Sequence, residues 1–366
     1  MARPIIHEQV PLARHTTLGL GGPARFFVDC ASDDDIREGI AFAREKDLPI
    51  LVLGGGSNVV VADKGFLGVV LHLTSRGIAF TSHGYRSSVR VAGGEIWDRV
   101  VEACVQQSLG GLECLSGIPG TAGATPVQNV GAYGQEVADT ITAVHAIDLR
   151  TLDAVSFKTR DCGFRYRWSR FKGPDAGKYI LTSVELDLPV SSAAIIRYPE
   201  LARTIEQEAQ PGSVEGHVAT LVQTRATVLR LRASKGMVLD PADPDSRSVG
   251  SFFMNPVMDG NAFAAVQTRW STAGHASAIP SFTTSEGVKI PAAWLVEHAG
   301  FTKGLRRGGV GVSSKHALAL VNYDGSTRDL LALAEEIRAG VLSAFGVHLV
   351  MEPVIVPHPS LKTEND

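Results

Sequence analysis

The first indication of the fold comes from residues 50–58, Ile50-Leu51-Val52-Leu53-Gly54-Gly55-Gly56-Ser57-Asn58. Four apolar residues followed by three glycines predict a short buried strand that leads directly into a loop. Glycine lets a backbone approach a pyrophosphate closely, successive N–H groups form a nest for its oxygens, and Ser57 and Asn58 add side-chain donors. The standard nucleotide fingerprints are absent, because no Gly-Lys-Ser/Thr follows and Val59 stands where a dinucleotide fingerprint needs a small residue. On this segment alone, a phosphate site and a plain strand-to-loop connection are equally open.

A second segment rich in small residues spans residues 116–134. It reads Ser116-Gly117-Ile118-Pro119-Gly120-Thr121-Ala122-Gly123-Ala124 and continues as Gln128-Asn129-Val130-Gly131-Ala132-Tyr133-Gly134. Such a surface can accept a flat ring or a phosphate chain, and the amides of Gln128 and Asn129 can reach ring heteroatoms. Unstructured loops of more than about 15 residues are uncommon unless they are functional. We therefore predict a binding segment here rather than a plain surface loop.

Hydrophobic periodicity elsewhere alternates between helix and strand. The predicted helices are residues 33–48 with Ser32 as cap, 95–109 with Ser108 on the apolar side and Gly110-Gly111 at the end, 217–233 and 328–345. The predicted strands are residues 143–147, 184–188 and 347–351. Residues 240–246 form a polar loop, and the tail after Pro357 is expected to be disordered. These patterns predict a mixed α+β protein with a nucleotide site in its first half.

Composition and charge exclude several classes of protein. The chain has 366 residues, of which 44% are hydrophobic, and this length favours two or three domains. A net charge of −3 offers little attraction to nucleic acid or to an anionic membrane. No apolar run reaches the roughly 18–20 residues that span a bilayer, and the first ten residues are too polar for a signal peptide. Four widely spaced cysteines and the lack of a paired histidine motif argue against a metal site and a disulfide framework, and favour a reducing cytoplasm.

Three further motifs complete a pattern. They are Tyr166-Arg167-Trp168-Ser169-Arg170-Phe171-Lys172, Gly250-Ser251-Phe252-Phe253-Met254-Asn255-Pro256 and Met351-Glu352-Pro353. With the two glycine-rich segments, and in the same order over residues 51–356, they resemble the UDP-N-acetylenolpyruvoylglucosamine reductase family. These are flavoproteins whose FAD domain is of the vanillyl-alcohol-oxidase type. Each motif alone is weak evidence, but their shared order makes a chance match improbable.

The resemblance implies an α+β fold with a two-part FAD-binding domain and a C-terminal α+β substrate-binding domain. The expected division places one FAD subdomain at residues 1–73, joined by the returning segment 353–366, and the second at residues 74–235. The substrate domain then covers residues 236–352. The resemblance also implies FAD held without a covalent bond, NADPH as co-substrate and a UDP-sugar as substrate. A cytoplasmic location is expected, with no nucleic-acid or membrane partner. The oligomeric state stays open, and a monomer is compatible with the sequence.

Three catalytic residues follow from matching the family's motifs. Hydride addition to an enol ether that bears a carboxylate develops negative charge on that carboxylate, and Arg167 offers a planar cationic donor set suited to it. Ser251 matches the family's proton donor, and Asn255 and Lys235 are candidates to polarise it. Glu352 matches the second catalytic residue, and we expect it to be protonated or hydrogen-bonded so that it donates to the developing charge.

The remaining site residues are implied contacts with FAD or substrate. The FAD contacts are Gly54, Gly55, Gly56, Ser57, Asn58, Pro119, Gly120, Thr121, Gly123, Ala124, Gln128, Asn129, Gly131 and Ala132. The substrate contacts are Tyr166, Tyr198, Lys235, Asn255 and His316. Tyr198 is followed by Pro199 where the family's tyrosine loop usually has glycine, and the loop 240–246 lengthens the spacing from Lys235 to Ser251. His316 is equally compatible with a polar residue near a strand.

Two other functions are weighed against this one. The first is an FAD-dependent oxidase of sugars or alcohols from the same superfamily, which needs a base where Ser251 is placed to give a proton. The second is a non-enzymatic nucleotide-binding regulator, in which NADPH would not bleach a bound flavin. The number of motifs that would have to coincide by chance disfavours both.

Overall fold

The computed structural model describes residues 4–208 and 219–356. Three predictions fall partly or wholly outside the described residues. They are the tail after Pro357, the part of the returning segment 353–366 that follows Val356, and positions 217–218 of one helix. The chain divides into two compact units, each built from separate stretches of sequence. Unit 1 comprises Met1–Val10, Ala24–Gly55 and Leu67–Ser234, and unit 2 comprises Pro11–Pro23, Gly56–Phe66 and Lys235–Asp366, in each case over the described residues. The predicted three-part division stays a prediction.

Nineteen strands and seven α-helices occur within the described residues. The strands are β1 (Ile6–Pro11), β2 (Pro23–Cys30), β3 (Ile50–Leu53), β4 (Val59–Val61), β5 (Phe66–Leu73), β6 (Ile78–Ser82), β7 (Arg86–Ala92), β8 (Gly131–Ala132), β9 (Gln135–Glu136), β10 (Ile141–Asp148), β11 (Ala154–Lys158), β12 (Tyr179–Pro189), β13 (Val257–Met258), β14 (Phe282–Thr284), β15 (Gly287–Lys289), β16 (Arg306–Arg307), β17 (Val310–Val312), β18 (Leu320–Asn322) and β19 (Val354–Val356). The helices are α1 (Asp33–Glu45), α2 (Trp97–Gln106), α3 (Pro199–Glu208), α4 (Leu221–Ser234), α5 (Gly260–Thr272), α6 (Ala292–His298) and α7 (Thr327–Phe345). The mixture of helix and strand agrees with the predicted α+β class.

The first sheet of unit 1 has the strand order β1-β2-β5-β3, with β3 parallel to β5. The predicted strand at residues 50–53 is therefore present, and its end delivers the chain to the glycine-rich segment. Helix α1 starts as predicted, because Ser32 and Asp35 form a reciprocal capping box at its N-terminus. Its apolar residues Ile36 and Ile40 are buried in one cluster with residues of β5.

The second sheet of unit 1 is antiparallel, in the order β11-β10-β12-β7-β6. The predicted strand patterns at residues 143–147 and 184–188 are confirmed as β10 and β12, with Val144 opposite Val184. Buried side chains of this sheet form one core with Trp97 and Val101 of α2. The sheet and α2 together support the segment at residues 116–134.

Unit 2 has small sheets around one apolar core, in the orders β13-β15-β14, β16-β17-β18 and β19-β4. Helix α7 contributes much of this core, because its predicted face is buried: Leu330, Ala334, Ile337, Val341 and Phe345. Gly346, with φ +70°, ends the helix as predicted. Strand β19 lies parallel to β4, with Ile355 opposite Val60, so two segments that are far apart in the sequence meet in one ladder.

One predicted helix end and one predicted strand are wrong. The helix predicted at 95–109 ends at Gln106, because Ser108 takes a left-handed φ of 55°, and its side chain is exposed instead of lying on the apolar face. Residues 347–351 do not form a strand. Val347 and Leu349 produce the alternating pattern of a strand because both side chains are buried in the core of unit 2. Of residues 347–351, only Met351 forms a β-bridge, with Phe253.

Other helix boundaries differ by a few residues, and three helices were not predicted. The helix predicted at residues 33–48 stops at Glu45, and the one predicted at 217–233 is α4. Helix α6 has only seven residues and helix α5 has a weak apolar pattern, so tertiary packing contributes most of their stability, whereas α3 has a clear apolar face that was not recognised in the sequence. None of the helices within residues 4–208 and 219–356 is long and apolar enough to cross a membrane.

Candidate active site

The glycines at the end of β3 lie against the second glycine-rich segment within unit 1. A Cβ added to Gly55 would come within 2.8 Å of the Gly120 Cα, and one added to Gly54 would collide with the Thr121 hydroxyl. The two segments can therefore approach closely only because neither glycine carries a side chain. Residues 54–55 and 120–121, all predicted FAD contacts, are brought together.

Gly56, Ser57 and Asn58 continue into unit 2. Gly56 has φ +60°, and a Cβ there would collide with the carbonyl oxygen of His15. The Asn58 side chain reaches the Glu352 carbonyl oxygen at 3.5 Å, and the Asn58 carbonyl accepts a 2.9 Å hydrogen bond from Val354 N. The last residue of the glycine-rich segment is thus tied to the backbone on both sides of Pro353.

An ion pair anchors the start of the segment at residues 116–134. Asp98, on α2, accepts a 2.6 Å hydrogen bond from Gly117 N and is paired with Arg225 of α4, whose two terminal nitrogens lie 2.6 and 2.8 Å from its two oxygens. Burial raises the pKa of Asp98, but the hydrogen bonds from Arg225 and Gly117 outweigh it, so the pKa lies below its ordinary value of 3.8. The carboxylate is therefore charged at neutral pH and holds Gly117 in place.

The side chain of Asn129 supports the segment from inside. It is buried, its amide nitrogen donates to Glu136 at 2.7 Å and to the Arg165 carbonyl at 3.0 Å, and its amide oxygen accepts from Ala138 N at 3.1 Å. Because both amide hydrogens are engaged, a contact from residue 129 to a ring would come from the backbone. Gln128, its predicted partner, is half-buried in the same turn.

One buried polar atom indicates what the glycine-rich surface can hold. No described residue hydrogen-bonds to the Thr121 hydroxyl, which is buried beside Gly54. A buried hydroxyl without a partner is costly, and a phosphate oxygen would satisfy it. The residues present therefore fit the pyrophosphate of FAD, with Pro119, Gly120, Gly123 and Ala124 along the same segment. In contrast, nowhere in the described ranges do three or more His, Cys, Asp or Glu side chains form a group that could hold a metal ion.

Arg167 is held in an unusual backbone conformation in unit 1. Its φ is +52°, and Arg165 and Trp168 exchange two 3.1 Å backbone hydrogen bonds across this turn. Its guanidinium donates to the Gly131 carbonyl at 2.8 Å and lies 5.5 Å from the centre of the Tyr166 ring. The predicted residues Tyr166, Arg167 and Gly131, and with it Ala132 in the same short hairpin, are thus brought together.

Tyr198 is anchored beside the same hairpin. Its ring packs edge-to-face on Tyr133, with 5.4 Å between ring centres. Pro199, which departs from the family's glycine, is the first residue of α3, a position where proline is favoured because no helical N–H partner is needed. Burial raises the pKa of Tyr198 above its ordinary value of 10, so its hydroxyl stays protonated at neutral pH.

Ser251 and Glu352 belong to one small ladder in unit 2. Phe252 N donates to the Leu318 carbonyl at 2.8 Å on one side, and Glu352 N donates to the Phe252 carbonyl at 2.9 Å on the other. Ser251 forms a bridge with Ala319, and Phe253 with Met351. The two motifs, far apart in sequence, are therefore backbone neighbours.

The other predicted substrate contacts of unit 2 have structural partners. The Asn255 amide oxygen accepts a 2.8 Å hydrogen bond from Ala292 N at the start of α6. The His316 Nδ1 accepts from Leu318 N at 3.2 Å, so in the neutral ring Nε2 carries the proton. Lys235 is half-buried directly after α4 and precedes Gly236, whose φ is +66°.

Sequence reasoning missed Asp98 and Arg225 as residues that support the segment at 116–134. They are 127 positions apart in the sequence. Their charge in otherwise ordinary segments was the only signal, and it does not identify a partner. Their roles follow from tertiary contacts alone.

The chain is similar to known proteins over almost its full length. Residues 241–356 match the model of the UDP-N-acetylenolpyruvoylglucosamine reductase C-terminal domain, and residues 24–151 match that of an FAD-binding domain. The UDP-N-acetylenolpyruvoylglucosamine reductase of Thermobifida fusca is 48% identical over 357 residues, 95% of this chain and 97% of that protein. That of Streptomyces coelicolor is 47% identical over 356 residues, 96% of this chain and 90% of that protein.

A solved structure gives the same result for the fold. The crystal structure of UDP-N-acetylenolpyruvylglucosamine reductase from Thermus caldophilus covers 98% of this chain and 100% of its own, with a TM-score of 0.63 and 24% identity. The predicted fold class, an FAD-binding domain of the vanillyl-alcohol-oxidase type followed by a C-terminal α+β domain, is confirmed. The resemblance inferred from the motifs is confirmed as well. From the identity to its relatives over almost its full length, the chain belongs to the UDP-N-acetylenolpyruvoylglucosamine reductase family.

Proposed function

We propose that this chain reduces the enolpyruvyl double bond of UDP-N-acetylglucosamine enolpyruvate to give UDP-N-acetylmuramate, a step of peptidoglycan precursor synthesis. NADPH is the reductant, and FAD is bound without a covalent link. The family membership supports the reaction, and the match to an FAD-binding domain supports the cofactor. Bound FAD supplies the hydride chemistry, while the protein contributes binding, orientation and charge stabilisation.

A single observation carries the proposal beyond family membership. The ladder of unit 2 joins the Ser251 motif to the Glu352 motif through the hydrogen bond from Glu352 N to the Phe252 carbonyl. Reduction of an enol ether needs a proton donor for the α-carbon. A second acidic group from a neighbouring segment of backbone can donate a hydrogen bond to the negative charge that develops.

The catalytic roles follow from the charge that develops on the substrate. Addition of hydride to the carbon β to the carboxylate places negative charge on the α-carbon and the carboxylate oxygens. Arg167 stabilises that charge as a planar, permanently charged donor. Glu352 donates a hydrogen bond to it in its protonated form, and Ser251 delivers the proton to the α-carbon. The left-handed backbone at Arg167 supports this role, since strain of this kind is concentrated at functional sites.

We assign the remaining contacts by the chemistry of the substrate. Tyr166, Tyr198, Lys235, Asn255 and His316 bind the UDP-sugar, because hydroxyl, amide, imidazole and ammonium groups suit phosphates, a carboxylate and a sugar. The raised pKa of Tyr198 supports a hydrogen-bond donor at that position. The FAD contacts are the residues predicted in the two glycine-rich segments, with the unsatisfied Thr121 hydroxyl as the strongest support.

A cytoplasmic location is part of the proposal. The four cysteines are free and buried. Burial raises the pKa of Cys30, Cys104 and Cys114 to about 12 and that of Cys162 to about 11, so all four stay as unreactive thiols. This cysteine usage suits a reducing compartment, where both NADPH and the UDP-sugar are available.

The visible spectrum of the purified protein tests the function. We expect a yellow protein whose absorbance bleaches with NADPH under anaerobic conditions and returns on addition of the enolpyruvyl UDP-sugar, with formation of UDP-N-acetylmuramate. We also expect acid precipitation to release the flavin into the supernatant. Oxygen consumption with a sugar in place of NADPH would instead support the superfamily oxidase, and flavin that NADPH cannot bleach would support a non-enzymatic regulator.

A further inference from the structure

The polar loop at residues 240–246 contains a buried acidic residue with an unusual number of donors. Asp245 is 4% exposed and sits in a 3-10 turn at Pro244–Ser246. One of its carboxylate oxygens accepts from Ser313 Oγ at 3.0 Å, from Ser314 N at 2.9 Å and from Ser314 Oγ at 2.6 Å. The other accepts from the Tyr323 hydroxyl at 2.5 Å. Four donors therefore converge on one carboxylate.

The protonation state of Asp245 matches this arrangement. Burial raises the pKa of Asp245, but the hydrogen bonds from Ser314, Tyr323 and Ser313 outweigh it and hold the pKa below its ordinary value of 3.8. An ionised carboxylate is only an acceptor, so each donor that surrounds it is satisfied at neutral pH. The group is therefore a fixed anchor rather than a proton carrier.

The anchor shapes a turn that leads to the Ser251 ladder. Ser313 Oγ, held by Asp245, accepts hydrogen bonds from Lys315 N at 3.0 Å and His316 N at 3.2 Å. The turn closes through Ser313 N to the Ala319 carbonyl at 2.8 Å and Ala319 N to the His316 carbonyl at 3.1 Å. Ala319 is the bridge partner of Ser251. A continuous set of hydrogen bonds thus connects the carboxylate with Ala319, which bridges to the backbone of the proposed proton donor.

A second connection runs along the chain itself. Residues 246–250 join the 3-10 turn to Ser251, and they are fixed by Asn322 N donating to the Arg247 carbonyl at 3.0 Å and by Thr17 Oγ1 donating to the Ser248 carbonyl at 2.6 Å. Asp245 also packs on the backbone next to Lys235, because a Cβ at Gly236 would lie 3.2 Å from the Asp245 Cβ. The loop therefore holds both ends of the segment from Lys235 to Ser251.

From these contacts we infer that Asp245 is a positioning residue for the Ser251 proton donor, acting through the turn at residues 313–319. The inference rests on the proposed function, in which Ser251 protonates the α-carbon. It gives the polar loop a purpose: the loop carries a carboxylate to the base of that turn. Without the carboxylate, three side-chain hydroxyls and one backbone N–H lose their acceptor, and the turn that holds Ala319, the bridge partner of Ser251, is no longer fixed.

Three variants and one control test this role in the holoenzyme. Asp245→Ala removes every acceptor, Asp245→Asn keeps one carbonyl oxygen, and Tyr323→Phe removes a single donor. Asp243→Asn is the matched control, because Asp243 lies in the same loop and the substitution keeps the cap to Asp245 N while removing only the charge paired with Lys315 at 2.7 Å. Each protein is compared with the unsubstituted chain for FAD content, bleaching by NADPH, and reoxidation by the enolpyruvyl UDP-sugar without oxygen.

We expect Asp245→Ala to bleach with NADPH at the rate of the unsubstituted protein and to reoxidise with substrate about 10–100-fold more slowly, since a displacement of about 1 Å can cost about 10²-fold. Asp245→Asn should recover part of the loss, Tyr323→Phe should lose least, and Asp243→Asn should lose nothing. The solvent deuterium isotope effect on reoxidation should increase in the Asp245 variants, because proton delivery becomes slower. A residue that only stabilises the fold would not change that isotope effect.

The outcomes separate this inference from the proposed function. If the unsubstituted protein fails to convert the enolpyruvyl UDP-sugar, the proposed function is wrong and the role of Asp245 falls with it. If it does convert substrate while Asp245→Asn keeps both the reoxidation rate and the isotope effect of the unsubstituted protein, the function stands and the positioning role is wrong. Should Asp245→Ala lose FAD or fail to fold, Asp245→Asn and Tyr323→Phe decide by the same two measurements.

Discussion

Three of the seven non-glycine residues with a left-handed backbone in the described part of the chain lie in the predicted site region of unit 1. Asn129, Tyr133 and Arg167 have φ of 45°, 47° and 52°, a region that residues other than glycine seldom occupy. Asn129 is compensated by three side-chain hydrogen bonds, and Arg167 by its hydrogen bond to the Gly131 carbonyl. The surrounding contacts thus fix conformations that are unfavourable in isolation, which is the condition for a pre-organised site.

Ser251 gives the sharpest test at the scale of one residue. Ser251→Ala should keep FAD and bleach with NADPH at a near-normal rate, but reoxidise with the enolpyruvyl UDP-sugar about 10²–10⁴-fold more slowly, the usual contribution of a positioned acid. Ser251→Cys, which retains an ionisable proton, should recover part of the loss. Anaerobic stopped-flow absorbance measures both steps separately. Loss of bleaching by NADPH with normal reoxidation would show that Ser251 is not the proton donor.

A second test asks whether the Glu352 side chain acts as a hydrogen-bond donor or as a negative charge. Its backbone is held by Phe252 and Asn58, so a change of side chain leaves the ladder in place. If the side chain donates a hydrogen bond to the developing anion, Glu352→Gln keeps a donor and should retain more turnover than Glu352→Ala. Steady-state kcat with the UDP-sugar distinguishes the two variants. Equal losses would point to a negative charge or a proton relay in place of a neutral donor.

Local motifs predicted the candidate site better than isolated residues could. Arg167, Ser251 and Glu352 were named because each stands in a run of several matching neighbours. Asp98 and Asp245 could not be named, because an acid's partner is chosen by tertiary packing and leaves no local pattern. The predicted reach of the Asn129 amide toward a ring gave no hint that Glu136 and Arg165 engage both of its hydrogens.

At the scale of elements, we expect the contact between the two glycine-rich segments to determine whether FAD can bind. Gly55→Val should lower FAD occupancy, because the new Cβ would meet the Gly120 Cα at 2.8 Å and force the segments apart. Gly56→Val should do the same, since it also requires a left-handed φ of +60°. The ratio of flavin to protein absorbance measures occupancy. Gly260→Val is the control, because nothing lies within 4 Å of a Cβ added at that position. Full FAD occupancy in both Gly55→Val and Gly56→Val would refute the pyrophosphate assignment.

The ion pair between α2 and α4 gives a prediction of stability against pH. Asp98 has a folded pKa below 3.8, so its contribution is present above the unfolded pKa and is lost as pH falls through the lower folded value. Asp98→Asn should reduce the free energy of unfolding at pH 7 by about 1–2 kcal/mol, since a third of the side chain is exposed. Urea unfolding at several pH values should show this difference shrink below about pH 4.

A surface ion pair in the same unit provides the comparison. Asp34 pairs with Arg37 within α1 at 3.1 Å, and its side chain is 53% exposed. Asp34→Asn should therefore cost at most a few tenths of a kcal/mol. If Asp98→Asn were no more destabilising than Asp34→Asn, the Asp98–Arg225 pair would not anchor the Gly117 turn.

The elements that sequence analysis predicted are those with long, regular patterns. Helix α7 and strands β10 and β12 were located because their apolar residues repeat at 3.6 or two positions. Residues 347–351 show the limit of the method, because two buried side chains of the core reproduce a strand pattern without a ladder. Helix α6 was missed for the opposite reason: it has seven residues and depends on Asn255 to accept the N–H of Ala292.

At the scale of the whole molecule, unit 2 depends on a ladder between residues that are far apart in the sequence. Val354 N donates to the Asn58 carbonyl at 2.9 Å, where β19 meets β4. Val354→Pro removes that donor and should lower the free energy of unfolding by about 1–3 kcal/mol. Val354→Ala is the control, because the side chain is half exposed and the donor stays. Similar urea midpoints for the two variants would contradict the importance of this ladder.

This ladder also sets an order of events during synthesis on the ribosome. Strand β4 emerges early, but its partner β19 emerges only after all the helices of unit 2, so β4 keeps an unpaired edge through most of translation. An unpaired strand edge is a site for association with other chains. We expect nascent chains arrested just before Val354 to lack a complete unit 2, even though all three proposed catalytic residues have already been made.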